Sequence, residues 1–354
     1  MIRSNTKRIL VATAAAAVLT FSLGDIAQAQ QQERVTWKMH SAFPSTLKIL
    51  GSGALRVVAD VQKLSNGTFD LKFFEPNALL PAFDYLDGVA SGAVPAAWSI
   101  ASLHAGRIQA LTFYGAVPFG PRPGEFLAWL KYGGGQDLHD ELYARLGLKP
   151  LVCGIFPPEA SGWFKKEIKS VEDLRGLKMR IGGFGAKTLE KFGVSTQMVA
   201  GGDIYPALER GALDATEFSM PVVDEGFGLF EVAKHYYFPG WHQQATLQHL
   251  DINLKAWENL SQWHKDILET ACAANVSRAI AEGEGLQYAA LQRMQAKGVQ
   301  LHRWSEEDLG KLRGAFTEVI TEAANSDKDV KRVWDSFRTF RENYAVWGNL
   351  GYIQ

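Results

Sequence analysis

The sequence predicts an α/β fold long enough for two lobes, and three stretches between Gly176 and Phe218 carry that prediction. Gly176-Leu177-Lys178-Met179-Arg180-Ile181 is a short strand that delivers one arginine to its end, where Gly182-Gly183 breaks the pattern. Ser195 to Ala200 is a second strand, ended by Gly201-Gly202. Ala207 to Phe218 then reads as a helix, a stop at Gly211, and a strand ending in Glu217 and Phe218. Strands that alternate with helices and stop at glycine build a parallel sheet, which binds ligands at the carboxyl edge of its strands. On that edge Arg180, Glu217 and Phe218 face one small anion.

The 354 residues are 47% apolar and 21% charged, an ordinary globular balance with room for two domains. A net charge of -1 argues against a nucleic-acid or anionic-membrane partner, since both ask for a basic excess. Arg3, Lys7 and Arg8, the apolar run Ile9 to Leu23 and the small-x-small site Ala27-Gln28-Ala29 form an export signal over residues 1–29. Cleavage after about Ala29 leaves a mature chain free in the periplasm. No later stretch reaches the roughly 18 apolar residues of a membrane span, and neither cysteine lies near the signal to carry a lipid.

The elements follow in order from Arg34. Val35 to Ser41 alternates as a first strand, Ala42 to Leu47 is a loop carrying Phe43, and Leu50 to Leu64 sets Ala54, Leu55, Val58, Val61 and Leu64 on one helical stripe. Asn66-Gly67 turns the chain into the strand Phe69 to Phe74. Ala82 to Ser91 is a helix stopped by Gly92, Val94 to Ile100 a strand containing Trp98, and Gln136 to Leu146 a polar helix after Gly133-Gly134-Gly135. That glycine run lacks the lysine and hydroxyl of a phosphate loop, so no nucleotide is implied. Leu151 to Phe156 is an apolar strand before the first crossing between lobes, and Lys169 to Gly176 is a capped turn ahead of the arginine strand. Ala245 to Leu254 returns to the first lobe, Trp257 to Gln295 is largely helical, and Val299 to Trp304 is a strand. Ser305 starts another helix. Asp329 to Ala345 spaces Val330, Val333, Trp334, Phe337, Phe340 and Tyr344 at helical intervals. Cys153, in an apolar strand, and Cys272, in an alanine-rich helix, read as buried free thiols in preference to the bridge that an oxidising compartment permits.

The runs GLKMRIGGFGAKTLEKFG, DIYPALERGALDATEF and YYFPGW resemble the solute-binding subunit of tripartite ATP-independent periplasmic (TRAP) transporters, and within it the 2-oxo acid branch. The resemblance covers nearly the whole mature chain. It implies a two-lobed periplasmic binding protein fold with a long connecting helix and a helical C-terminal tail. Lobe I takes residues 30–155 and about 246–300, lobe II 156–245 and about 301–328, and the tail 329–354 serves as a dimerisation element. The implied partners are the small and large TRAP membrane subunits, a second copy of the chain, and a 2-oxo or 2-hydroxy monocarboxylate.

The site residues follow from both lines. Arg180 offers a planar fork of donors that matches a carboxylate and stays charged at any relevant pH, its alternative being a structural pair with a neighbouring acid. In the 2-oxo acid branch the acid of the Glu217-Phe218 pair and the aromatic's carbonyl lie near a metal. The aromatic is often tryptophan, so Phe218 gives a drier wall and favours a bulkier or more apolar acid. The branch commonly has glutamine at Glu159 and glutamate near Gln243, both metal ligands, so this chain exchanges the two and keeps two carboxylates. Carboxylates with neutral oxygens suit Na⁺ or Ca²⁺. The alternatives are a solvated loop acid at Glu159, and Gln243 and Gln244 touching ligand hydroxyls in a metal-free receptor for a sugar or aromatic acid. Phe43, Trp98 and Phe218 wall the cleft, unless Phe43 only plugs its lobe. His242 and His249 lack the HxH or HxxxH spacing of a zinc site and read as hydrogen-bonding or surface groups. No GxSxG, HExxH or cysteine–histidine pairing competes, so the chain is not read as an enzyme; a Glu159 and Glu217 acid/base pair is the remote alternative.

Overall fold

A computed structural model describes residues 34–81 and 84–353. The expected signal over residues 1–29 lies outside them, as do Ala82 and Phe83, where a helix was expected to begin. Everything from Thr36 onward forms one unit.

The first half runs β1 (Val35–Ser41), α1 (Ser52–Leu64), β2 (Phe69–Phe74), α2 (Tyr85–Ala90), β3 (Ala96–Ile100), α3 (Pro123–Tyr132), α4 (Gly135–Ala144) and β4 (Leu148–Phe156). The middle runs β5 (Gly162–Phe164), β6 (Lys178–Arg180), α5 (Gly183–Glu190), β7 (Ser195–Gln197), α6 (Gly201–Glu209), β8 (Ala215–Thr216), α7 (Pro221–Gly226) and β9 (His235–Phe238). The last part runs β10 (Thr246–Asn253), α8 (Leu254–Glu258), α9 (Gln262–Gly285), α10 (Gln287–Ala296), β11 (Gln300–Arg303), α11 (Glu306–Ser326) and α12 (Lys328–Gly351).

Two sheets result, of order β2-β1-β3-β10-β4 and β11-β9-β5-β8-β6-β7. The first has β1 parallel to β3, but β10 runs antiparallel to both β3 and β4. In the second, β6 is parallel to β7 and β8, while β5 is antiparallel to β8 and β9. The expected all-parallel sheet is therefore mixed, because the strands that cross between sheets run against their neighbours. β4 leaves the first sheet at Phe156 and β10 re-enters it at Thr246, and these two residues are paired. Both crossings thus lie side by side, which is the place for a hinge.

Each sheet has its own core, one around Phe113, Trp129 and Phe337, the other around Phe164, Ile181 and Trp241. Helix α9 is long because it packs along β4, and Gly283 near its end meets the ring of Pro157, where a Cβ would come within 2.4 Å. Cys153 and Cys272 face each other across that contact and form a disulfide, which corrects the expectation of two free thiols. The sequence separates them by 119 residues, and only the packing of α9 on β4 brings them together. Helix α11 packs on α5, and α12 folds back over α3 and α4, with Phe337 edge-on to Trp129 at 5.0 Å.

Candidate functional site

Three loops at the ends of second-sheet strands form the site, and backbone hydrogen bonds join them. Glu159 N donates to Gln243 O at 3.2 Å, Ala160 N to Ser219 O at 3.1 Å and Ser161 N to Tyr237 O at 2.8 Å. Gly240 is obligatory here: a Cβ would sit 2.0 Å from the carbonyl oxygen of Glu159. The arginine strand joins the same set, since Glu217 N donates to Arg180 O at 3.0 Å.

The side chains converge on one buried cluster. Arg180 Nη1 donates to both the carbonyl and Oε1 of Glu217, each at 2.6 Å, and its Nε reaches Val199 O at 3.4 Å. The structural pair weighed for Arg180 is thus real, yet it occupies one edge of the fork; Nη2 has no protein partner among the described residues. The second Glu217 oxygen, Oε2, lies 3.6 Å from His242 Nε2, which stands 3.7 Å from Glu159 Oε2. Glu159 is 6% exposed and His242 3%, so Glu159 is not the solvated loop acid weighed as its alternative and His242 is not a surface group. Burial raises Glu159 above the usual carboxylate range, against the partial offset of His242. Burial acts the same way on Glu217, but the Arg180 charge overrides it and the group is lowered. His242 is raised although burial opposes its charge, because both carboxylates face it. Asp224 stands behind, holding Trp163 Nε1 at 2.9 Å and the Tyr236 hydroxyl at 2.7 Å, and burial pushes it up to about 7.

A cavity of about 1070 Å³ opens above this cluster, with Phe43, Leu47, Leu50 and Leu103 from the first sheet's side and Met198, Phe218 and Phe227 from the second's. Phe218 turns its ring toward the Arg180 guanidinium at 5.2 Å and packs edge-on against Phe227 at 4.4 Å. Gln243 lines the cavity, its Nε2 fixed on Thr246 Oγ1 at 2.6 Å. Of the eight residues named from sequence for ligand or metal, Phe43, Glu159, Arg180, Glu217, Phe218 and Gln243 line the cavity. Trp98 does not: fully buried, it donates Nε1 to Leu50 O at 2.7 Å and anchors the start of α1, because both faces of β3 are covered. Gln244 does not either; its amide folds back onto Gly240 O at 2.7 Å. His242 was missed, since its two carboxylate neighbours lie 83 and 25 positions upstream, where no local spacing marks them. His249, on β10, is buried as well, its ring tilted 31° to that of His139 with centroids 4.7 Å apart.

Two sheets joined by paired crossing strands around a ligand-sized cavity define a two-lobed solute-binding protein. Residues 40–327 match the DctP family, bacterial extracellular solute-binding protein family 7, and the chain belongs to it as the solute receptor of a TRAP transporter. It is 33% identical over 350 residues, 97% of this chain and 96% of the other, to a monocarboxylate 2-oxoacid-binding periplasmic protein of Nostoc sp.. Among solved structures, a TRAP transporter solute-binding protein from Bordetella bronchiseptica, a dimer with copurified calcium and picolinate, superposes with a TM-score of 0.87 at 33% identity, covering 90% of this chain and 95% of that one. A TRAP periplasmic solute-binding protein from Pseudoalteromonas atlantica with bound sodium and pyruvate gives 0.84 at 29% identity, covering 91% and 100%. Among the described residues no helix is long and apolar enough to cross a membrane.

Proposed function

We propose that the mature chain works in the periplasm, captures a small organic monocarboxylate in the cavity between the two sheets, and delivers it unchanged to the small and large TRAP membrane subunits. The observation that carries this reading is Arg180, which lines the cavity with Nη1 pinned on Glu217 and Nη2 left without a protein partner among the described residues. A ligand carboxylate completes the fork, in a setting where water screens little. Phe43, Phe218 and Phe227 favour an acid with an apolar or aromatic tail, and the cavity accommodates more than a three-carbon acid.

The residues also fit a cation. Glu159 Oε2 is buried without a hydrogen-bond partner, and its neighbours offer a second carboxylate. Glu159, Glu217, the Phe218 carbonyl and Gln243 are the residues that would hold it, and relatives with bound calcium or sodium support a cation of that kind. Bound there, a cation would give the acid's oxygens a positive partner beside Arg180. The lobes then close about the β4–β10 crossing, and the ligand stabilises the closed form by its differential affinity.

Calorimetry with 2-oxo, 2-hydroxy, aromatic and sugar acids, with and without Ca²⁺, tests the reading. A 2-oxo or 2-hydroxy acid is expected to bind, Arg180→Ala to weaken it by about 2 to 5 kcal/mol, and Arg180→Lys to lose less. Unchanged affinity in a folded Arg180→Ala protein would remove the assignment. Tight binding after chelation in sodium-free buffer would favour the metal-free receptor, and a chemically altered ligand by mass spectrometry would favour an enzyme.

A further inference from the structure

Val117-Pro118-Phe119-Gly120 is a tight turn with an unexpected residue at its demanding corner. Gly120 N donates to Val117 O at 3.0 Å, Pro118 takes the first corner, and Phe119 at the second has φ +53°. Proline followed by a positive φ is the pattern of a type II turn, whose second corner favours glycine or asparagine because an L side chain is strained there. A bulky aromatic in that conformation persists only where its surroundings hold it.

Those surroundings come from both lobes. Phe119 N donates to Trp241 O at 2.6 Å, in the loop that carries Gln243 to the cavity. Phe119 O accepts from Arg341 Nη1 of α12 at 2.9 Å, and Arg341 Nε is itself held by Glu125 Oε1 of α3 at 2.8 Å. The ring lies under the Arg313 guanidinium of α11 at 4.1 Å, with the Trp241 ring at 5.8 Å and that of Phe316 at 6.4 Å. It packs against the first sheet's core and the second's alike.

The turn ends a longer seam. Thr246, where β10 enters the first sheet, donates Oγ1 to Gly115 O at 2.8 Å. Gly183, at the start of α5, has φ +60°, and a Cβ there would lie 3.0 Å from Thr112 Cγ2. Phe184 follows it into the first core, 5.3 Å from Phe113. Residues 112–119 thus meet the second lobe at Gly183, Phe184 and Trp241, and the crossing strand at Thr246. Contacts that persist while two lobes turn lie close to the axis, and a hinge is a few loop residues that absorb the backbone change.

Building on the reading that the lobes close on an acid, we propose that Phe119 is a positioning residue for that closure: the bearing on which the second lobe turns, seated under Arg313 and locked from the first lobe by Arg341. The strain has a use on this account. Glycine at the corner would leave the backbone free to swing, whereas a phenylalanine held by its N–H, its carbonyl and its ring gives the loop from Trp241 to Gln243 one position against the first sheet. A loop ordered before the acid arrives costs the acid no ordering entropy.

The test measures the distance between lobes in the full mature chain without any acid, by dipolar spectroscopy between spin labels at Lys63→Cys on α1 and Arg210→Cys just after α6. Both positions are exposed, and the Cys153–Cys272 bridge stays intact. A narrow distribution is expected with Phe119 present, one about twofold broader with Phe119→Gly, and a narrow one again with Phe119→Tyr, which keeps the ring. Arg341→Gln, which leaves the turn's own sequence alone, is expected to broaden it as well. A merely structural residue would lower the melting temperature and leave the width unchanged. For an acid that the wild type binds, Phe119→Gly is expected to weaken affinity about fivefold. An unchanged width in folded Phe119→Gly or in Arg341→Gln, or equal acid affinity in folded Phe119→Gly, would overturn the proposal; Arg341→Gln decides where Phe119→Gly does not fold. Because the widths are read without ligand, the two readings fail apart. A wild type that binds no acid removes the receptor reading and leaves the bearing standing, and an unchanged width in a protein that binds acid removes only the bearing.

Discussion

At the scale of single residues, burial decides more than proximity along the chain. His249 is enclosed on β10 of the first sheet, neighboured by His139 from α4, Tyr143 from α4 and His104 from the turn after β3, and neither of its nitrogens has a hydrogen-bond partner among the described residues. Burial holds its proton affinity well below the ordinary histidine value, and His139 and His104 add to that. The unfolded chain takes up a proton near pH 6.5 and the folded one does not, so stability is full above that pH and falls as the pH drops below it. The loss is at most about 1.4 kcal/mol per pH unit for this group. His249→Gln should therefore lose less on acidification than the wild type, its melting temperature falling by a few degrees less between pH 7 and pH 5; parallel curves would remove His249 from the account. The same contrast explains what the sequence disclosed. Arg180 and Glu217 were legible because each ends a short strand beside a glycine or an aromatic, a local signature of a sheet edge. Trp98 was misread because β3 is covered on both faces, and period-two alternation then says nothing about which face meets ligand.

Among elements, the contact of α9 with β4 organises the first sheet's outer face. Asn275 of α9 donates to Cys153 O at 2.7 Å and accepts from Arg56 Nε of α1 at 2.9 Å, tying three elements beside the Cys153–Cys272 bridge. The bridge closes a segment of 119 residues, for which the chain-entropy argument gives about 5 kcal/mol and measured disulfides usually about 2 to 4. The Cys153→Ala, Cys272→Ala double variant should lose stability within that range, and so melt lower, while still binding acid, since neither residue lines the cavity. Two titratable thiols in the native wild type, or an unchanged melting point, would refute it. Helices and long strands were legible from their periods. The three-residue strand β5 was not, because its pairing partners lie 51 or more residues away and nothing local sets an antiparallel direction.

At the scale of the whole molecule, the tail α12 divides into two halves with different jobs. Val330, Val333 and Phe337 are buried against α3 and α4, Trp129 Nε1 donates to Ser336 Oγ at 3.2 Å, and Arg332 holds Glu141 with both nitrogens at 2.7 Å. This half belongs to its own chain. Beyond Tyr344 the apolar residues turn outward: Val346, Trp347, Leu350 and Ile353 are exposed, Leu350 by 82%. A run of exposed large apolar side chains is costly in water unless a partner covers it. A second copy of this chain is the occupant we expect, since the related Bordetella protein is a dimer and a two-fold interface needs only one self-complementary patch. Truncation after Tyr344 keeps every buried residue of α12 and deletes the exposed ones, so it separates folding from association. The full chain should sediment as a dimer and the truncated chain as a monomer with nearly the same melting temperature and acid affinity. A monomeric full chain would leave the outer half of α12 without that partner, and a truncated chain that still dimerises would place the interface elsewhere.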